Sequence, residues 1–202
     1  MKAAVIIGKS YHLNQEDIKN CFVVGVDKGA LFCQENGIPM DIAVGDFDSI
    51  TEEEFKRLQA ARIIRLNPIK DETDTKEAVL LCRDCEEITI LGGIHGKRIE
   101  HFYANLLLLE ENPKIRLKDD YSLILTTTTG INLSGDKYKF VSVFSLDEDT
   151  RITLKGFKYP LSAYPMKRLD PLGVSNEIVE EKAEIVVEQG RALIILSKDD
   201  RL

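Results

Sequence analysis

The chain has 202 residues, 44% of them hydrophobic and 30% charged, which is room for one large domain or two small ones with a sizeable buried core. Its formal net charge of -7 excludes a protein that wraps nucleic acid or lies on an anionic membrane, although local lysines and arginines can still hold a phosphate. No run approaches the ~20 apolar residues of a membrane span and the N-terminus carries no signal-peptide pattern, so a cytoplasmic protein without membrane partners is expected.

Up to about residue 119, strand and helix signals alternate. Strand-like runs occupy Ala3 to Ile7, Phe22 to Val26, Ile42 to Val44, Arg62 to Leu66, Glu87 to Leu91 and Lys114 to Leu117. They are short or nearly continuously apolar, as parallel strands covered on both faces are. A helix over Lys28 to Asn36 stops at Asn36-Gly37-Ile38-Pro39, where Gly37 can take the left-handed position. Thr51-x-x-Glu54 is a capping box opening a helix to about Ala60. Ala78, Leu81, Cys82 and Cys85 recur at helical spacing and predict one buried stripe, and a leucine-rich helix follows over Glu100 to Glu111. This alternation predicts an α/β domain over residues 1–119, an open, mostly parallel sheet with helices.

After residue 119 only short β-prone runs remain: Tyr121 to Thr129, Lys137 to Phe144, Thr150 to Leu154, Ala183 to Glu188 and Arg191 to Leu196. Turn residues at Gly130, Ser134-Gly135-Asp136, Lys155-Gly156 and Gln189-Gly190 separate them. Residues 120–202 therefore read as an antiparallel β-sandwich or barrel. The stretch from Phe157 to Glu177, with its tyrosines, prolines and hydrogen-bonding side chains, is expected to be a long irregular binding loop. The four cysteines read as reduced and structural, because Cys82-x-x-Cys85 supplies only two of four zinc ligands and lies inside a helical pattern.

Chemistry concentrates at the ends of the predicted strands, where open α/β sheets place ligands. Ala43-Val44-Gly45-Asp46-Phe47-Asp48-Ser49 leaves a buried strand at two carboxylates spaced two apart. If the chain stays extended through Phe47, Asp46 and Asp48 project to one side and repel each other unless a cation such as Mg²⁺ lies between them. Lys70-Asp71-Glu72-Thr73-Asp74 forms a second acidic cluster after the next strand, and the two clusters favour one shared cation site. Turn formation by Asp46 and Asp48, and helix capping by Asp71 and Asp74, are the plainer alternatives. Gly92-Gly93-Ile94-His95-Gly96-Lys97-Arg98 joins a strand to a helix, so backbone N–H groups can approach a phosphate while Lys97 and Arg98 add charge. His95 and His101 read as surface or packing residues, since a hard cation prefers oxygen. Gly25-Val26-Asp27-Lys28-Gly29 is a further strand end with a carboxylate, open to a turn or capping role.

Taken together, Asp27-x-Gly29, Gly45-Asp46-Phe47-Asp48-Ser49, Asp71-x-Thr73-Asp74, Gly92-Gly93-x-x-Gly96-x-Arg98-x-x-His101 and Gly173-Val174-Ser175-Asn176-Glu177 resemble the ordered motif set of thiamine pyrophosphokinases. The resemblance implies an α/β catalytic domain and a C-terminal β-sandwich, assembled as a homodimer with each active site between the α/β domain of one subunit and the β domain of the other. It implies ATP as co-substrate, thiamine as acceptor, and Mg²⁺ held by Asp46, Asp48 and Asp74 with Asp71 and Thr73 beside them. For the hydroxyl proton, one of these carboxylates is the expected acceptor, with Asp71 the candidate. Nucleotide contacts would come from Asp27, Gly29, Thr73, Gly92, Gly93, Gly96, Arg98, Glu100 and His101, with Arg98 also neutralising charge, and thiamine contacts from Ser175 and Asn176. Glu100 stands where the family usually has aspartate, and Lys28 where many members have glycine. The chain has no tryptophan for the thiamine ring, leaving Phe157, Tyr159 and Tyr164 as aromatic candidates. Other readings are a pyrophosphokinase for a pterin alcohol, an Asp-x-Asp phosphatase using Asp46 and Asp48, and a non-catalytic nucleotide or thiamine sensor.

Overall fold

The computed structural model describes residues 1–8, 12–96 and 98–199. The chain divides into two compact units, one formed by Met1–Leu108 with Lys114–Asp120, the other by Leu109–Pro113 with the chain from Tyr121 onward.

The first unit holds β1 (Lys2–Ile7), β2 (Cys21–Val26), α1 (Lys28–Glu35), β3 (Ile42–Gly45), α2 (Glu52–Arg57), β4 (Arg62–Arg65), α3 (Asp74–Leu81), β5 (Glu87–Leu91), most of α4 (Ile99–Glu111) and β6 (Ile115–Lys118). Its strands run in the order β6-β5-β1-β2-β3-β4, and every pairing among them is parallel. Ala4 and Ile6 of β1 join a core cluster with Ala30, Leu31 and Cys33 of α1, while Ala3 and Val5 on the opposite side are equally buried. β1 is thus apolar on both faces, as the unbroken hydrophobic run required. From β1 the chain advances to β2, β3 and β4, then returns to place β5 on the other flank of β1. The strand order reverses there, and at such a switch point the loops leaving the two strands diverge and open a crevice.

Two helices are shorter than expected. The Thr51 side chain accepts from Glu54 N–H while Glu54 reaches back to Thr51, so the capping box forms, but α2 stops at Arg57 and Leu58 is extended. The α3 stripe also differs: the helix ends at Leu81, which is 39% exposed, and Val79 is buried in its place beside Ala78, Cys82 and Cys85.

The second unit contains two antiparallel sheets. One, in the order β12-β9-β14-β7, uses β7 (Ser122–Thr127), β9 (Phe140–Ser145), β12 (Asn176–Glu177) and β14 (Ala192–Ser197); the other, β11-β10-β13-β8, uses β8 (Gly130–Ser134), β10 (Thr150–Lys155), β11 (Leu161–Met166) and β13 (Lys182–Gln189). Alternate residues of these strands, among them Val141, Val143, Ile152, Leu154, Ile185, Ile194 and Leu196, share one core. The run expected over Tyr121 to Thr129 breaks at Gly130, whose φ of 109° turns the chain into β8 and onto β13. A Cβ there would lie 1.9 Å from Ile185 O, so only glycine permits the crossing. The stretch expected to be irregular from Phe157 to Glu177 contains β11, which tolerates Pro165 because it is an edge strand with no neighbour beyond β10 in its sheet. All four cysteines are free, and Cys33, Cys82 and Cys85 are buried. Among the described residues no helix is long and apolar enough to cross a membrane.

Candidate active site

The crevice at the switch point of the first unit is a cleft of ≈ 590 Å³. Three acidic side chains meet in it from three different chain segments. Carboxylate oxygens of Asp27, after β2, Asp46, after β3, and Asp74, opening α3, lie within 4.8 Å of one another.

The local backbone explains why. Asp27 has φ 46°, a region that L residues avoid, and its N–H donates to Val44 O at 3.0 Å. Its Oδ1 accepts the N–H of Phe47 at 3.2 Å. A Cβ on Gly45, where φ is 154°, would fall 1.9 Å from that same Oδ1, so the glycine vacates the space the carboxylate fills. Phe47 is 3% exposed and itself left-handed at φ 58°, its ring 5.0 Å from that of Phe55. This turn breaks the extended path on which Asp46 and Asp48 were expected to project together. Asp46 Oδ1 instead accepts the N–H of Asp48 at 3.0 Å, leaving Asp48 exposed on the wall of the cleft and outside the trio, and Asp27 takes the third corner.

The electrostatics are those of crowded like charges. Burial pushes the Asp27 carboxyl up to about 6, the neighbouring Asp74, Asp46 and Asp48 carboxylates push the same way, and the Phe47 N–H opposes them. Lys70 enters the cluster with its Nζ 3.0 Å from Asp74 Oδ1 and 3.8 Å from Asp46 Oδ2. Burial works against its charge, but Asp74, Asp46 and Asp27 outweigh that and hold the ammonium above the ordinary lysine value. A trio of hard, anionic oxygens at this separation fits the donor set of a small divalent cation, whose bonds of about 2.1 Å draw ligand oxygens close together.

Thr73 lines the cleft and caps α3, its hydroxyl accepting from Lys76 N–H at 3.2 Å. Gly93, Gly96, Arg98 and His101 also line the cleft. Gly92 and Gly29 shape the site from behind: a Cβ on either would collide with β1, 2.4 Å from Ile7 O and 2.0 Å from Ile6 O respectively. Lys97 lies outside the described residues. Asp71 and Glu100 are exposed and do not line the cleft.

Several lining residues carried no assigned role in the sequence reading: Ser49, Lys70, His95 and Asn105. His95, read as a surface or packing residue, does line the cleft, and its Nε2 is 3.1 Å from Asp119 Oδ2, a carboxylate at the end of β6. Asn105 is 4% exposed and donates through Nδ2 to Gly93 O at 3.4 Å, pinning the glycine loop to α4. Only a helical register placing Asn105 on the inner face of α4 could have signalled it.

Ser175 and Asn176 belong to the second unit. Ser175 is exposed at φ 53°, and its N–H donates to Ser142 Oγ at 3.0 Å. Asn176 is buried and its amide is committed to backbone: Nδ2 donates to Tyr159 O at 2.7 Å, and Oδ1 accepts from Tyr159 N–H at 3.1 Å and Glu177 N–H at 2.9 Å. It thereby fixes Tyr159, whose side chain is 63% exposed.

Comparison with known proteins decides the family. Residues 14–118 match the family model described as thiamin pyrophosphokinase, catalytic domain, and residues 126–192 match thiamin pyrophosphokinase, vitamin B1 binding domain. The chain belongs to the thiamine pyrophosphokinase family. It is similar to the thiamine pyrophosphokinase of Bacillus subtilis (strain 168), 34% identical over 186 residues that cover 87% of each chain. A crystal structure of thiamine pyrophosphokinase from Bacillus subtilis superposes with a TM-score of 0.86 at 29% identity, covering 98% of this chain and 100% of that one. A thiamin pyrophosphokinase family protein from Enterococcus faecalis gives 0.84 at 29% identity over 98% and 99%. The cleft of Asp27, Asp46 and Asp74 thus lies within the part of this thiamine pyrophosphokinase family member that matches the catalytic domain.

Proposed function

We propose that the acidic trio would hold Mg²⁺ beside the polyphosphate of ATP, and that the chain carries out the reaction of its family. It is a thiamine diphosphokinase, transferring a pyrophosphoryl group from ATP to the hydroxyl of thiamine to give thiamine diphosphate and AMP. The observation that carries the site is the convergence of Asp27, Asp46 and Asp74 within 4.8 Å at the switch point of a parallel sheet.

The thiamine hydroxyl oxygen attacks the β-phosphorus and gives up its proton to solvent, the bond from that phosphorus to the α–β bridging oxygen breaks, and AMP leaves with that oxygen. Mg²⁺, when bound, neutralises charge on the phosphate oxygens. The chain's own part is positioning and charge compensation. Asp27, Asp46 and Asp74 would hold the cation, and Asp48 lines the same cleft. The N–H groups of the loop around Gly93 and Gly96, the start of α4 and Arg98 face the remaining phosphate oxygens. Ser175 and the exposed ring of Tyr159, fixed by Asn176, are the second unit's contribution to thiamine recognition. A homodimer in the cytoplasm completes this reading, supported by exposed apolar side chains at Tyr159, Leu169, Leu172 and Val174 that a partner would cover.

Incubation with thiamine, ATP and Mg²⁺ is expected to release AMP in proportion to thiamine consumed. ADP as the only nucleotide product would reject pyrophosphoryl transfer, and a pterin alcohol serving as well as thiamine would reject the acceptor. Asp46→Asn is expected to lower kcat/KM by ~10²-fold or more, the scale for a preorganised charged group facing a transition state. Retained activity would place the cation elsewhere.

A further inference from the structure

Lys70 is neither a ligand of the proposed cation nor remote from it: its ammonium sits among the carboxylates that would bind the metal. Nζ is 3.0 Å from Asp74 Oδ1 and 3.8 Å from Asp46 Oδ2, and the side chain is only 17% exposed. Two of the three carboxylates in the trio are therefore neutralised from within the chain by a side chain of the loop preceding α3. A lysine suits such a post, because a compact ammonium on a flexible stem can move from one set of oxygens to another without leaving the cleft.

An ammonium and a divalent ion compete for the same oxygens. A bare cation entering the trio displaces Lys70 and leaves its positive charge facing a second, stronger one. A cation that arrives with a polyphosphate brings, in the same step, the anion that the displaced ammonium needs. We propose that Lys70 is a resident counter-ion which holds the trio together in the nucleotide-free protein and exchanges its carboxylates for phosphate oxygens on nucleotide binding, making divalent-cation affinity conditional on nucleotide. This rests on the reading of Asp27, Asp46 and Asp74 as the cation site. The thermodynamic content is reciprocal: cation and polyphosphate bind with positive coupling, and Lys70 supplies part of that coupling.

The test uses Mn²⁺ as the probe, its binding followed by electron paramagnetic resonance with and without α,β-methylene-ATP. Wild type, Lys70→Met, Lys70→Arg and Asp46→Asn are compared, and thermal unfolding confirms that each is folded. In Lys70→Met the nucleotide-free Mn²⁺ affinity is expected to rise about tenfold or more and the strengthening by the analogue to shrink by a similar factor, while Lys70→Arg keeps the wild-type pattern. A purely structural ion pair would change the unfolding temperature of Lys70→Met and leave its Mn²⁺ affinity unchanged. That result, with Asp46→Asn weakening Mn²⁺ binding, overturns the role of Lys70 while keeping the cation site. Mn²⁺ binding in Asp46→Asn equal to wild type, even with the analogue, rejects the site itself and the inference with it.

Discussion

Asp27 holds an unfavourable backbone conformation because of what Gly45 lacks. Strain of this kind persists only when the surroundings over-determine it, and here the Phe47 N–H and the space left by the missing Cβ of Gly45 both point the carboxylate into the trio. Gly45→Ala is expected to move Asp27 out of the cluster, at a cost of roughly 1–3 kcal/mol in stability and a loss of ~10²-fold in AMP formation. Urea unfolding and the AMP assay measure the two effects separately, and a fully active alanine variant would show that Asp27 is dispensable. At this scale the sequence was a partial guide. The spacing of Asp46 and Asp48 suggested a pair because extended chains alternate, but a left-handed Phe47 is uncommon for a bulky residue and sends Asp48 outward. Asp27 could be read from the sequence as a carboxylate at a strand end, open to a turn or capping role, but no local pattern reveals that the end of β2 meets the end of β3 at that residue.

Secondary elements were most legible where burial is two-sided. β1, β2, β3 and β5 are runs of apolar residues that can only be inner parallel strands, and each lies within a residue or so of its expected bounds. β8, β11 and β12 were not legible: β8 and β11 are edges with one face partly exposed, β11 contains Pro165, and β12 has two residues. The connections between strands also carry their own ties. Asp147, between β9 and β10, accepts from Arg191 Nη2 at 2.8 Å and Nε at 3.1 Å, and Arg191, between β13 and β14, takes the Leu146 N–H on its carbonyl at 3.0 Å. The Arg191 hydrogen bond holds the Asp147 carboxyl below the usual carboxylate range. A carboxyl depressed in the folded state adds stability that is present above its unfolded value of 3.8 and is lost as pH falls through the lower folded value. Asp147→Asn is therefore expected to be less stable than wild type at pH 7, with the gap closing below about pH 4. Urea midpoints at both pH values measure it; a gap that persists at low pH would assign the effect to packing.

At the scale of the whole molecule, each unit has its own core and its own matching family domain, and the acidic chemistry belongs to the first. That first unit also contains every cysteine of the chain. Cys33 and Cys82 are 0% and 1% exposed with thiols that burial pushes up to about 12, Cys85 is 4% exposed, and only Cys21 is partly accessible. Thiolates, not thiols, attack an aromatic disulfide reagent, and burial raises the Cys21 thiol too, but Cys21 alone is accessible, so the native protein should consume one equivalent there and the other three only after denaturation. The slow labelling of those three then becomes a built-in clock for cooperative opening of the catalytic half, readable without any introduced dye.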